Sequence, residues 1–130
     1  MTKNTRRFAL AATLLVPFAP SARAGDGTVV HEVAVVASNQ TAMGTPYWAR
    51  RSNDTTQKIS CQVKYEAGSG DPFVYCAATT RYNASLSCYA YDANLGQVVL
   101  AMDEYSFITF KCDGSALVSL SIVRNSNSLP

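Results

Sequence analysis

Histidine occurs once in the 130 residues, at position 31, so acid–base catalysis would have to rest on one imidazole. His31 lies among Val29, Val30 and Val33, and no partner pattern surrounds it. Gly-x-Ser-x-Gly, the phosphate loop and the dinucleotide fingerprint are all missing. The one adjacent pair of acids, Asp103 and Glu104, diverges on a helix or a strand and cannot flank a scissile bond. Asp92, Asn94 and Asp103 are a near miss for a calcium loop: Gln97 stands where the sharp turn wants glycine, and valine and leucine fill the ligand positions between. No Cys-x-x-Cys pair exists to hold zinc. The chain is therefore read as non-catalytic, with no cofactor and no metal.

Long apolar runs are scarce too. The longest, Phe8 to Phe18, follows Lys3, Arg6 and Arg7 and precedes Ala22-Arg23-Ala24. A basic start, a short apolar stretch and a small-x-small site predict a signal peptide over residues 1–24. "TRRFAL" has a partial twin-arginine look but lacks that motif's phenylalanine spacing, so the ordinary secretory route is expected. No later stretch is long enough for a membrane-spanning helix. Residues 25–130 would keep seven basic and nine acidic side chains, a net −2, although the whole sequence carries +2. No basic stripe is left for nucleic acid. The localisation read from this is secreted or periplasmic. The sequons at Asn39, Asn53 and Asn83 carry little meaning behind what reads as a bacterial leader.

Cys61, Cys76, Cys88 and Cys112 all follow the leader. Four cysteines in an exported chain of about 106 residues predict two disulfides bracing one small domain. Cys61–Cys76 with Cys88–Cys112 is favoured, because each joins core-facing positions on strands near in sequence. Cys76–Cys88 with Cys61–Cys112 is the alternative.

Thr28 to Ala37 reads as a first strand, and Ser38 to Thr56, broken by Gly44 and Pro46, as a long surface connection carrying Tyr47 and Trp48. "QKISCQVKY", residues 57–65, alternates cleanly, with Ile59, Cys61, Val63 and Tyr65 on the core side. "EAGSGDP" is a turn by composition, followed by strands from Phe73 to Thr79 and from Ser85 to Tyr91. "DGS" joins "SFITFKC" to "ALVSLSIV" as a hairpin, with Ile108, Phe110 and Cys112 sharing one face, and Val118, Leu120 and Ile122 another. Residues 94–105 read either as a strand or as a short helix capped by Asn94, with Leu95, Val98, Val99 and Met102 on one face. The tail from Asn125 to Pro130 is polar. The expected fold is α+β or mostly β: a small antiparallel sheet, one short helix and two disulfides.

A hairpin about residue 82 would set Phe73 opposite Tyr91, Tyr75 opposite Tyr89 and Cys76 opposite Cys88. The side away from the cysteines then carries four aromatics. Such a ladder packs beneath a helix or the first strand, or it stands open as a platform for a ligand. Tyrosine suits a platform, since it offers a flat apolar face with a polar tip. Trp48 is a candidate second wall.

"ARRSNDTTQKISC", a cysteine ahead of "LSC", "LGQVVLAM" before "SFITF", and the ending "RNSNSLP" together resemble a group of small exported bacterial proteins. The resemblance covers most of residues 49–130 and implies a helix over residues 94–103. Cys112 departs from that pattern by preceding the Asp-Gly turn, which leaves the pairing open. The group brings no activity and no site residue.

The expectation is a non-catalytic binding module for an envelope glycan or a secreted protein, through Phe73, Tyr75, Tyr89, Tyr91 and Trp48. Its rival is an inhibitor of an extracellular hydrolase presenting the loop "EAGSGDPF".

Overall fold

The computed structural model describes residues 32–124. The predicted leader, His31, the beginning of the predicted first strand and the polar tail lie outside the described residues. Among them, seven strands and two α-helices form a mostly β domain. The strands are β1 (Ala34–Val36), β2 (Thr41–Gly44), β3 (Lys58–Lys64), β4 (Phe73–Thr79), β5 (Ser85–Tyr91), β6 (Phe107–Asp113) and β7 (Ala116–Val123). The helices are α1 (Pro46–Arg51) and α2 (Ala93–Leu100). The sheet order is β1-β2-β6-β7-β5-β4-β3. Every junction is antiparallel except β5 with β7, which run parallel and meet at one register pair, Tyr89 with Ala116.

The segment read as a surface connection is the clearest correction. It holds a 3-10 turn (Ala37–Asn39), all of β2 and all of α1. Alanine and glycine are poor strand formers, and tertiary pairing overrides them: β2 lies between β1 and β6, with Ala42 fully buried. Gln40 sets up the reversal in the left-handed region at φ 50°. Its carbonyl accepts from the Cys112 N–H at 2.9 Å, and its side-chain oxygen accepts from the Gly114 N–H at 3.0 Å. Pro46, read as a breaker, is instead the opening residue of α1, where a missing N–H costs nothing.

Residues 94–105 resolve as helix and connection, and the cap is Asp92 rather than Asn94. Asp92 Oδ1 accepts from the Leu95 N–H at 2.9 Å. The β6–β7 hairpin turns at Gly114-Ser115, with Gly114 at φ 60°. A bulge at Lys111/Cys112 shifts its register. Cys112 therefore pairs with Leu117, which is buried, while Val118 turns outward and is 53% exposed. The expected trio of Val118, Leu120 and Ile122 is thus broken at its first member.

One face of the sheet carries the core. Val74, Cys76, Ile108 and Phe110 have no exposed surface, and burying each large apolar side chain contributes roughly 1.5–3 kcal/mol. α2 adds Val99 and α1 adds Ala49 to this cluster. Both disulfides lie on the same face, Cys61–Cys76 and Cys88–Cys112, as favoured from the sequence. With the helices and cystines on one side, no helix or strand among the described residues covers the opposite faces of β3, β4 and β5.

Candidate functional site

The uncovered face is built by register. β3, β4 and β5 align Lys64, Phe73 and Tyr91 in one row, and Gln62, Tyr75 and Tyr89 in the next. Ser60, Ala77 and Ser87 form the third row; Lys58, Thr79 and Ser85 form the fourth. Alternation forces this, because Val74, Cys76 and Ala78 must point into the core and their neighbours cannot.

Asp92 N–H donates to the Pro72 carbonyl and Thr80 N–H to the Ala84 carbonyl, so even-numbered residues of β4 bond to β5. Phe73 with Tyr91, and Tyr75 with Tyr89, are therefore non-hydrogen-bonded pairs, the kind whose side chains stand closest. Ring centroids lie 5.4 Å apart for Phe73 and Tyr91, 5.6 Å for Phe73 and Tyr89, and 6.3 Å for Tyr89 and Tyr91. Tyr89 is 44% exposed and Tyr91 66%. Phe73 and Tyr75 are half-buried, and Tyr75 stands opposite Tyr89 without a ring contact. The expected ladder is thus three touching rings with a fourth aromatic beside them. No helix among the described residues packs over it.

Lys64 borders this cluster. Its ammonium lies 2.5 Å from Glu66; the hydrogen bond between them and their opposite charges raise the Lys64 pKa and lower that of Glu66. Both side chains are more than half exposed, so the pair adds little to stability and is easily exchanged. The turn beyond, residues 66–72, closes by Ser69 donating to the Glu66 carbonyl from both N–H and hydroxyl. Tyr65, assigned to the core side, is 55% exposed, because it stands past the last β3 pair and reaches toward Gly96 of α2.

The structure does not bring Trp48 to the tyrosines. Trp48 sits on α1 and lines a cleft of about 550 Å³ with Glu32, Arg51, Asp54, Gln57 and Arg81. Arg81 belongs to the β4–β5 turn, whereas Phe73 and Tyr91 stand at the open end of that hairpin. Six strand residues separate the two ends, roughly 20 Å.

The walls of this cleft are mostly engaged with one another. Arg81 pairs with Glu32 at 2.7 Å and with the Tyr82 hydroxyl at 2.6 Å. Asp54 accepts from the Gln57 side-chain amide and from the N–H groups of Gln57 and Thr56, which lower its pKa to about 2. The Gln57 side-chain oxygen in turn accepts from the Val33 N–H at 2.7 Å. This chain ties the α1–β3 loop to the start of β1. Only the adjacent "YW" and "RR" pairs hinted at the cleft in sequence; its closure by Arg81 and Glu32 is long-range and left no local signal.

Asp92 and Asp103, two of the near-miss calcium positions, are engaged locally. Asp92 caps α2, and the Ser106 hydroxyl donates to Asp103 at 2.9 Å, which lowers the Asp103 pKa. Among the described residues no group of three or more His, Cys, Asp or Glu side chains gathers to hold a metal, and no helix is long and apolar enough to cross a membrane. Comparison with protein-family models, with curated proteins and with solved structures finds no match.

Proposed function

We propose that the protein is a non-catalytic binding module, acting outside the cytoplasm, whose ligand is a glycan chain of the cell envelope lying across β3, β4 and β5. The observation that carries this reading is the exposed three-ring cluster of Phe73, Tyr89 and Tyr91, held in fixed register on strands braced by two cystines. The rings offer flat apolar surface at low ordering cost. Next to them lie the amide of Gln62 and the hydroxyls of Ser60, Ser87, Ser85 and Thr79, in successive rows. A sugar chain matches that composition, with apolar ring faces for the aromatics and hydroxyl edges for the polar rows.

Size favours a glycan over a folded partner. The exposed part of Tyr89 and Tyr91 amounts to roughly 200 Å², whereas a standard protein interface takes about 800 Å² from each side. Titration with soluble envelope polysaccharides, followed by the ring proton resonances of Tyr89 and Tyr91, tests the reading. Saturable shifts confined to these rings and Phe73 are expected. Absence of shifts across neutral and acidic polysaccharides would remove it.

A further inference from the structure

The second uncovered feature is an edge. Among the described residues, β3 ends the sheet and pairs only with β4. The same hydrogen-bond phase that brings the tyrosines together decides which β3 residues face outward. Since even-numbered residues of β4 bond to β5, odd-numbered ones bond to β3, and Tyr75 and Ala77 take up Gln62 and Ser60. Cys61 and Cys76 are then a non-hydrogen-bonded pair, in keeping with their Cα separation of 4.1 Å. Ile59, Cys61 and Val63 must therefore turn their N–H and C=O groups away from the sheet. Ile59 is covered where α1 comes alongside, but Cys61 and Val63 are half-open. No backbone or side-chain group among the described residues bonds to these four N–H and C=O groups.

Beside this edge run two adjoining depressions of about 320 and 280 Å³. They share Pro46, Ile59 and Ser60. Consecutive residues of one strand lining one hollow place it along the edge, since alternate residues of a strand face opposite sides. Its apolar lining comes from Pro46, Ala49, Val99 and Met102. The acids on its rim are already paired, Glu104 with Arg50 at 2.5 Å and Asp103 with Arg124 at 3.3 Å. On the other side of the edge the strand positions are cationic, and Lys64 already pairs with Glu66 at 2.5 Å in an exposed contact that exchanges easily. The twelve outward positions of β3, β4 and β5 hold Lys58, Lys64 and no carboxylate.

We infer that the β3 edge takes up an extended segment of a partner protein as an added strand, one that alternates acidic and apolar residues. Its main chain would bond to Cys61 and Val63, its apolar side chains would enter the depressions, and its acidic ones would lie beside Lys58 and Lys64. Strand addition gains affinity from main-chain bonds and specificity from pockets for alternate side chains. A second copy of β3 meets its match less well: centred on Cys61, it would set Lys58 directly opposite Lys64, and like charges across a strand pair are destabilising.

The test is amide hydrogen exchange on the full protein, with two acetylated hexapeptides as probes, one alternating glutamate with valine and the other lysine with valine. In the free protein the Cys61 and Val63 amides should exchange much faster than those of Ser60 and Gln62. Saturating glutamate–valine peptide should slow Cys61 and Val63 by about tenfold or more, and the lysine–valine peptide should not. Lys58→Glu with Lys64→Glu should abolish the slowing while leaving the exchange of β4 and β5 unchanged. Three results would each overturn the inference: amides of Cys61 and Val63 already protected at low concentration, protection that grows with protein concentration alone, or equal protection by both peptides.

Discussion

Cys76 and Cys88 stand directly opposite each other on β4 and β5, yet neither is bonded to the other. Their backbones share the hydrogen bonds of that pair, and such pairs hold Cα atoms near 5.5 Å with side chains further apart. On its other flank Cys76 faces Cys61 across a non-hydrogen-bonded pair at 4.1 Å, and there the bridge forms. Cys88 reaches instead to Cys112, past the start of β7, at a Cα distance of 5.8 Å.

The two bridges should differ in worth. Closing loops with separations of 15 and 24 residues gives about 3 kcal/mol each from chain entropy. Cys61–Cys76 doubles a ladder of seven register pairs. Cys88–Cys112 spans the seam where β5 and β7 share one pair. Urea unfolding of Cys88→Ala/Cys112→Ala should therefore show the larger loss, with the seam as the first region to lose exchange protection. Peptide mapping of the unreduced protein should return Cys61–Cys76 and Cys88–Cys112 fragments.

Asp54 sets an acid limb on stability. Its folded pKa of about 2 lies below the ordinary 3.8, so its contribution is complete above about pH 4 and is lost as pH falls toward 2. Asp54→Asn cannot keep the network, because its amide would face the Gln57 amide, or Gln57 would flip and lose the Val33 N–H. The variant should melt lower at neutral pH, and its melting temperature should vary less between pH 4 and 2. Parallel pH profiles of both proteins check this.

Gly96 is a helix position where alanine should fail. Propensity alone favours alanine by about 1 kcal/mol, but a Cβ there would sit 3.0 Å from Pro72 Cγ and 3.3 Å from Val63 Cγ2. The Tyr65 hydroxyl, 3.2 Å away on a mostly exposed ring, can move aside; the buried proline ring and the half-buried valine packed against the core cannot do so freely. Overpacking costs typically about 1–3 kcal/mol. Gly96→Ala should thus lower the unfolding free energy by about 1 kcal/mol, read from urea titration.

Local pattern explains which parts of this architecture were readable. β3, β4 and β5 follow from strict alternation, and their register about residue 82 from a short turn, which is why the cysteine and tyrosine rows could be paired in advance. β2 and α1 were hidden because their stability is tertiary: Ala42 is held between two strands, and Pro46 opens a helix. The bulge that exchanges Leu117 for Val118 left no signal in the alternating pattern of β7. The aromatic face could be drawn from the sequence, but whether anything covered it could not, since that depends on which side the helices take.

The tyrosines permit a separation of binding from stability. Tyr91 is 66% exposed and Tyr89 44%, so truncation removes cross-strand contacts of about 0.2–1 kcal/mol per pair and little core. Tyr91→Ala should therefore unfold within about 1 kcal/mol of the parent, and Tyr89→Ala slightly earlier, because its ring is the more buried of the two. Glycan affinity should fall far more, by about tenfold or beyond for each, equivalent to about 1.4 kcal/mol. Tyr82→Ala is the control: Tyr82 is more exposed than either, but it stacks on Arg81 at the opposite end of the hairpin and should leave binding unchanged. A melt and a polysaccharide titration on the three variants decide the matter. Sharply lowered melting with unchanged affinity for Tyr89→Ala and Tyr91→Ala would make these rings structural, and equal losses of affinity in all three would mean that the ligand does not read the aromatic rows.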